Sequence, residues 1–316
     1  MHSSQSSAAC LMGALVGDAA ALGLHWIYDV GRIAEIAARR GGKSAFAPID
    51  PENFKDIPAF FAHGKRRDGM LTQYGEALHL AVRCINRNDG AFDVATYQQD
   101  YVDTFGAGGS YQGYIDKPTR GTLANIAVEQ LAPSGIEDDQ LPALSTLPAI
   151  VLAYHDADNF PTTVKEAIQV TSLDAEALAY GGVFTDLLTR VLAGEDIGKA
   201  LWASAITAGP TGQALLDALD TDEDSSVNYG EITGRACHLS MGMPLAFHIL
   251  SRAQSFEDAI ERNILAGGDS AGRAIVIGAV MGAHHGIAGP SGIPLEWILQ
   301  TQDAAAIWQD CRLFTS

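Results

Sequence analysis

Small residues recur at four-residue steps near both ends of the chain, as Ala9, Gly13 and Gly17 early and as Gly278, Gly282 and Gly286 late. Four residues is close to one helical turn, so each set lines one face of a helix and leaves no side chain there to hold a neighbour away. Two central helices are predicted to cross closely at these stripes. Apolar residues repeat at helical spacing elsewhere too: Leu11, Leu15, Ala19 and Leu22; Leu71, Leu78, Val82 and Ile85; Ile260, Ile264 and Leu265. Alanine is abundant, runs of β-branched residues are short, and helix-start patterns stand at Ser255-Phe-Glu-Asp258 and Thr163-Val-Lys-Glu166. The expected fold class is all-α. A chain of 316 residues that is 47% hydrophobic has ample material for a core. It contains no repeat or low-complexity linker, so a single domain over residues 1–316 is expected. The longest irregular stretches, about residues 40–68 and 105–120, are then loops inside that domain, where long loops tend to carry function.

The 38 acidic against 20 basic residues leave a formal charge of -18, which repels a phosphate backbone, so nucleic acid is not an expected partner. Cys10, Cys84, Cys237 and Cys311 lie far apart, with no zinc-knuckle or disulfide spacing, and fit a reducing cytoplasm. The apolar run near the N-terminus has no Lys or Arg before it and is interrupted by Asp18. Neither a signal peptide nor a membrane span is expected.

Four stretches combine glycine with polar side chains at predicted helix ends. In GDAAALGLHWIYD, residues 17–29, Asp18 sits amid apolar helix, and His25, Trp26, Tyr28 and Asp29 cluster at its exit. Either Asp18 and His25 meet a ligand, or the acid is a buried cap and the Trp fills the core. In HGKRRDGMLTQYGEALHL, residues 63–80, a basic loop enters a helix whose first turns hold Thr72, Gln73, Tyr74 and Glu76. Free amides there would attract an anion, or Glu76 merely stabilises the helix start. GAGGSYQGYIDKPTRGTL, residues 106–123, carries Tyr111, Tyr114, Asp116, Lys117 and Arg120; it reads as a ligand loop or as a long turn in which Asp116 bonds its own backbone. In AGGDSAGRAIVIGAVMGAHHG, residues 266–286, Asp269 and Arg273 stand four apart, which an N-cap acid paired with an arginine explains completely.

A fifth signal, DTDEDSSVNYGE at residues 220–231, puts Asp220, Asp222, Asp224, Ser226, Asn228 and Glu231 at the spacing of an EF-hand calcium loop. Ser225 replaces the turn glycine and no second hand exists to pair with it. Calcium at Asp220, Asp222, Asp224 and Glu231 is weighed against a solvated acidic loop.

Gly17-Asp18-Ala, LHWIYD at 24–29, LTQYGE at 71–76, GYIDKPTRGTL at 113–123 and GGDSAGRA at 267–274 together resemble the ADP-ribosylglycohydrolase family, nearest to the branch holding the J-crystallins and selenoprotein J. The resemblance covers most of the chain. It implies an orthogonal all-α bundle of more than ten helices. In active relatives it also implies a pair of magnesium ions, held by a Thr-Asp-Asp loop and an Asp-x-Asp-Thr loop, that bind ADP-ribose and help cleave its bond to a protein side chain. Here Thr72 keeps the threonine, but Gln73 and Tyr74 stand where the two aspartates belong. Asp269 remains, whereas Ala271 and Gly272 replace the second aspartate and the threonine, and His25 stands where many relatives have a glutamate. One carboxylate with an amide and a phenol makes a poor magnesium site, so loss of the metal pair is expected.

The reading that follows is a cytoplasmic relative that binds an ADP-ribose-like small molecule in a central cleft. If it is a hydrolase of glycosidic bonds, Glu76, Asp116 and Asp269 are the candidate catalytic acids, with Asp18, His25, Thr72, Gln73, Tyr74, Tyr114 and Arg273 contacting substrate. The alternative is a non-catalytic binding protein or a crystallin-like structural relative that kept only the packing.

Overall fold

The computed structural model describes residues 4–314. Sixteen α-helices lie among them: α1 (Ser4–Ala21), α2 (Val30–Arg39), α3 (Gln73–Arg87), α4 (Val94–Phe105), α5 (Lys117–Ala127), α6 (Leu147–Tyr154), α7 (Phe160–Gln169), α8 (Ala175–Leu192), α9 (Ile197–Thr207), α10 (Gln213–Asp220), α11 (Ser226–Thr233), α12 (Leu239–Arg252), α13 (Phe256–Leu265), α14 (Ser270–His285), α15 (Leu295–Gln300) and α16 (Ala304–Leu313). Extended pairing among the described residues is confined to isolated bridges, such as Ile27 with Ala59. The all-α expectation holds.

Helix α14 is buried on every side from Ser270 to Ala283, which makes it the axis of the bundle. α1 lies across it. A Cβ added at Gly13 would overlap the carbonyl oxygen of Gly278, and one at Gly278 would overlap that of Gly13; a Cβ at Gly282 would overlap the Ala9 carbonyl. The predicted close crossing is therefore a contact of backbone on backbone. Gly286 takes no part: it caps α14 with φ 72° and its missing Cβ faces open space. The segment Ser6–Leu24 is in fact long and apolar enough, by length and composition, to cross a membrane, despite Asp18, but 94% of it is buried inside the bundle.

Local capping explains where several helices begin. The Ser255 hydroxyl accepts from the Asp258 amide at 3.1 Å and opens α13, as its sequence pattern predicts. Thr163 does not open a helix. α7 starts three residues earlier, behind Asn159, and the Thr163 hydroxyl donates back to the Asn159 carbonyl at 3.1 Å. The long 40–72 stretch is pinned rather than loose: the Glu261 carboxylate accepts from the amides of Ser44 at 2.7 Å and Ala45 at 3.2 Å, and the Phe46 amide donates to Ala20 O at 2.8 Å.

Gly278→Ala should lower stability by about 3 kcal/mol or more, because the new methyl meets backbone that cannot rotate away. Gly286→Ala should cost less, about 1–3 kcal/mol, because its φ of 72° and ψ of -162° suit glycine but its missing Cβ faces open space. Urea unfolding of both variants beside wild type checks this; equal midpoints for the two would contradict a backbone-contact crossing.

Candidate functional site

The start of α3 sends the polar side chains of Thr72, Gln73, Tyr74 and Glu76 to four different partners, because successive helical residues point about 100° apart. Thr72 is the N-cap. Its hydroxyl accepts from the Tyr74 amide at 3.1 Å and donates to Asp18 Oδ1 at 2.5 Å, while its own amide donates to Asp18 Oδ2 at 2.7 Å. Asp18, on α1, is fully buried, and this burial raises its carboxyl to about 7 against the Thr72 bonds that pull the other way. Gln73 forms a reciprocal pair with Asp116, donating from Nε2 to the carboxylate and accepting from the Asp116 amide at 2.8 Å. Asp116 also caps α5 through the Thr119 amide at 2.7 Å, and burial raises it to about 6. The Tyr74 hydroxyl donates to Asp269 Oδ2 at 2.8 Å. Glu76 turns away from all of these to Arg66, 2.7 Å distant, whose guanidinium lies 4.5 Å over the Tyr111 ring.

Asp269 is the N-cap of α14 and is completely buried. Its Oδ1 accepts from the Gly272 amide and from His25 Nε2, each at 2.9 Å. Burial alone pushes this carboxyl up, but the donors from His25, Tyr74 and Gly272 outweigh it and hold it below its ordinary value. Behind His25, Nδ1 meets His63 Nε2 at 2.7 Å; burial and the nearby His25 and Arg66 keep His63 well below the usual histidine range, hence neutral. Trp26, with φ 66°, stacks on His25 at 4.3 Å and meets Phe60 at 5.6 Å and Tyr114 at 5.3 Å. These rings close the site over. Between Gln73, Tyr74 and Asp116 there remains a cavity of ≈ 10 Å³, room for about one water.

Thus Asp18, His25, Thr72, Gln73, Tyr74, Asp116 and Asp269 do gather around the starts of α3 and α14, with Tyr114 in the aromatic cover. Glu76 and Arg273 do not join them. Arg273 forms no ion pair with Asp269: it is fully buried and donates to Asn263 Oδ1 at 2.9 Å, Gly267 O at 2.6 Å and Asn263 O at 3.2 Å, holding the loop ahead of its own helix. An N-cap side chain folds back over its helix start, so the four-residue spacing does not bring the two together. Sequence reasoning missed His63, which no motif distinguishes, and Cys237, whose thiol is raised by burial and by the facing Asp269.

The calcium-loop expectation is corrected. Ser225 is the N-cap of α11, so Ser226, Asn228 and Glu231 are helical and cannot wrap an ion. Ser226 bonds His248 Nδ1 at 3.2 Å and Glu231 pairs with Arg235 at 2.5 Å, while Asp220, Asp222 and Asp224 stay exposed. Among the described residues no three His, Cys, Asp or Glu side chains are grouped to hold a metal.

The family model for ADP-ribosylglycohydrolase matches residues 4–316. The chain belongs to that family. Two curated relatives from Tripedalia cystophora are Crystallin J1A, 22% identical over 317 residues (95% of this chain, 93% of the relative), and Crystallin J1B, 23% identical over 310 residues (93% and 91%). A solved structure titled "ADP-ribosylglycohydrolase-related protein complex" superposes with a TM-score of 0.71 at 18% identity, covering 99% of this chain and 97% of that one, and so shares the fold. In this chain Gln73 and Tyr74 are hydrogen-bond donors aimed at Asp116 and Asp269.

Asn at position 269 would still cap a helix, yet it would lose an acceptor and set its amide against buried donors. Asp269→Asn should therefore destabilise by about 3 kcal/mol, while Glu76→Gln, which keeps an acceptor for the buried Arg66 guanidinium but removes the charge, should cost less, about 1–2 kcal/mol. Thermal melts decide; unchanged stability in Asp269→Asn would mean the carboxylate is no structural knot. His248 gives a pH test. Burial pushes it down to about 4, and its Nε2 donates to Glu223 O at 2.7 Å. An unfolded imidazole takes a proton near 6.5, so the stability supplied by the neutral ring is complete above about pH 6.5 and is lost as pH falls through about 4. Between pH 7 and pH 5 the urea midpoint should fall more steeply for wild type than for His248→Gln.

Proposed function

We propose that this chain is a non-hydrolytic, crystallin-like member of its family, in which the position of the ligand cleft has become packed polar interior. One observation carries the reading: both oxygens of Asp269 are engaged by Tyr74, His25 and the Gly272 amide, which leaves this acid no free edge for a sugar or a water. Asp116 is likewise taken by Gln73 and Thr119, and Glu76 faces the other side of α3. A glycosidic hydrolase needs an acid and a base or nucleophile flanking one bond, and these three carboxylates flank none.

The donor set does not fit the family's magnesium pair. Hard dications need several oxygen ligands, and Gln73 and Tyr74 present donors where carboxylates would stand. A structural role agrees with the charge of -18, which keeps a concentrated protein dispersed, and with four unpaired cysteines, three of them buried, in a reducing cytoplasm. The names of the J-crystallin relatives point the same way.

Calorimetric titration with ADP-ribose, with and without magnesium, should show no saturable heat at this position, and a mono-ADP-ribosylated peptide should release no ADP-ribose. Saturable ADP-ribose binding that disappears in Tyr74→Phe, or measurable release, would reject the structural reading in favour of a ribosyl-binding hydrolase.

A further inference from the structure

On the side of α3 facing away from Asp269 lies an open pocket of ≈ 380 Å³, within the usual size range of small-ligand sites. One wall is the outer face of α3, where Glu76, His79 and Arg83 align at three- and four-residue steps. The second is the first turn of α16, from Asp303 to Ile307; the third carries the hydroxyls of Thr104 and Ser110 beside Tyr111. We propose that this pocket binds an organic phosphate monoester bearing hydroxyl groups, such as a hexose phosphate.

Two guanidinium groups reach it in a chain that is otherwise strongly acidic. The Arg66 side chain is 6% exposed, and its Nε and Nη2 are spent on Leu71 O and Glu76. Its Nη1 has no hydrogen bond to any described residue. Arg83 is exposed and forms no ion pair among the described residues. α16 runs ten residues and its N-cap, Asp303, makes no side-chain cap bond; the Ala306 and Ile307 amides donate to the Asp303 carbonyl, which leaves the amides of Ala304 and Ala305 for a ligand beside the Asp303 carboxylate. A phosphate offers several oxygens to donors arriving from different directions, which suits two arginines and a helix start better than the two oxygens of a carboxylate do. The ligand's hydroxyls then meet Glu76 and Asp303 as acceptors and Ser110 as a partner of either kind.

The pocket is formed in advance. Gln302 donates from its amide to Gly69 O at 2.7 Å and from Nε2 to Asp68 O at 3.1 Å, and accepts from Arg67 at 3.1 Å. Gly69 has φ 78°, and a Cβ there would overlap the Gln300 carbonyl, so this floor requires glycine. Little ordering is left for a ligand to impose.

The test is calorimetry with glucose 6-phosphate, glucose, gluconate and inorganic phosphate on the full chain. Glucose 6-phosphate should bind at one site, inorganic phosphate more weakly, and glucose and gluconate not measurably. Arg83→Gln, a change at the surface that leaves the core intact, should weaken glucose 6-phosphate at least tenfold, whereas Arg39→Gln, which removes the same charge elsewhere, should not. The proposal is overturned by the absence of saturable heat up to about 10 mM, by gluconate binding as well as the phosphate, or by equal losses in the two arginine variants. Because Arg83 lies outside the Asp269 network, its effect separates this pocket from ADP-ribose binding at the family cleft.

Discussion

Everything around the candidate site hangs from the contact of α1 on α14. With carbonyl oxygens of each helix seated where the other lacks a Cβ, the two backbones cannot slide or separate without losing close packing along their length. That fixes two acids at once. Asp18 lies one residue beyond Gly17 on α1, and Asp269 lies at the start of α14, two turns ahead of Gly278. Their separation is set by the crossing, and the start of α3 is then fitted between them: Thr72 to Asp18, Tyr74 to Asp269.

The result is a buried polar network of a demanding kind. An unpaired carboxylate in such surroundings is costly, whereas one with every lone pair met specifies a single arrangement of the elements that donate to it. Asp269 gathers donors from the exit of α1, the start of α3 and its own helix, so it fastens three segments that the hydrophobic core alone would leave free to shift by a fraction of a turn. Arg273 does comparable work by donation, tying the 263–267 carbonyls beneath the same loop, although burial pushes its guanidinium down to about 10. Gln73 and Tyr74 supply donors to Asp116 and Asp269, and the rings of Trp26, Phe60 and Tyr114 pack over His25.

Sequence reasoning reached the parts of this that depend on neighbours along the chain. A stripe of small residues states its own consequence, since close approach requires only that side chains be missing. Ser255 announces a helix start by residue type, whereas Asp116, read as a loop or turn residue, proved to be the cap of α5. It misled where a local pattern had two outcomes. Residues 220–231 match a calcium loop by spacing, but Ser225 serves as an N-cap and turns the second half into helix, an arrangement that His248, from outside the motif, holds through Ser226 and the Glu223 carbonyl. Asp269 and Arg273 match a helical pair, yet the acid is a cap and the arginine has backbone oxygens to satisfy. His63 was invisible because its role depends on how the chain, after α2 and the loop that follows it, returns to Trp26.

Helical geometry also explains why the two faces of α3 serve different partners. Two residues along a helix point about 200° apart, so the same turn that sends Tyr74 inward to Asp269 sends Glu76 outward to Arg66. Substitutions at 73 and 74 act on the inner face and leave the outer one untouched. Glu76 and Tyr111 are both met by Arg66, whose amide donates to His63 O at 2.8 Å, so the outer face is joined through the chain to the histidine behind His25. The inner face of α3 is thus committed to buried acids, while the outer one stays open beside Glu76, Arg66 and the start of α16.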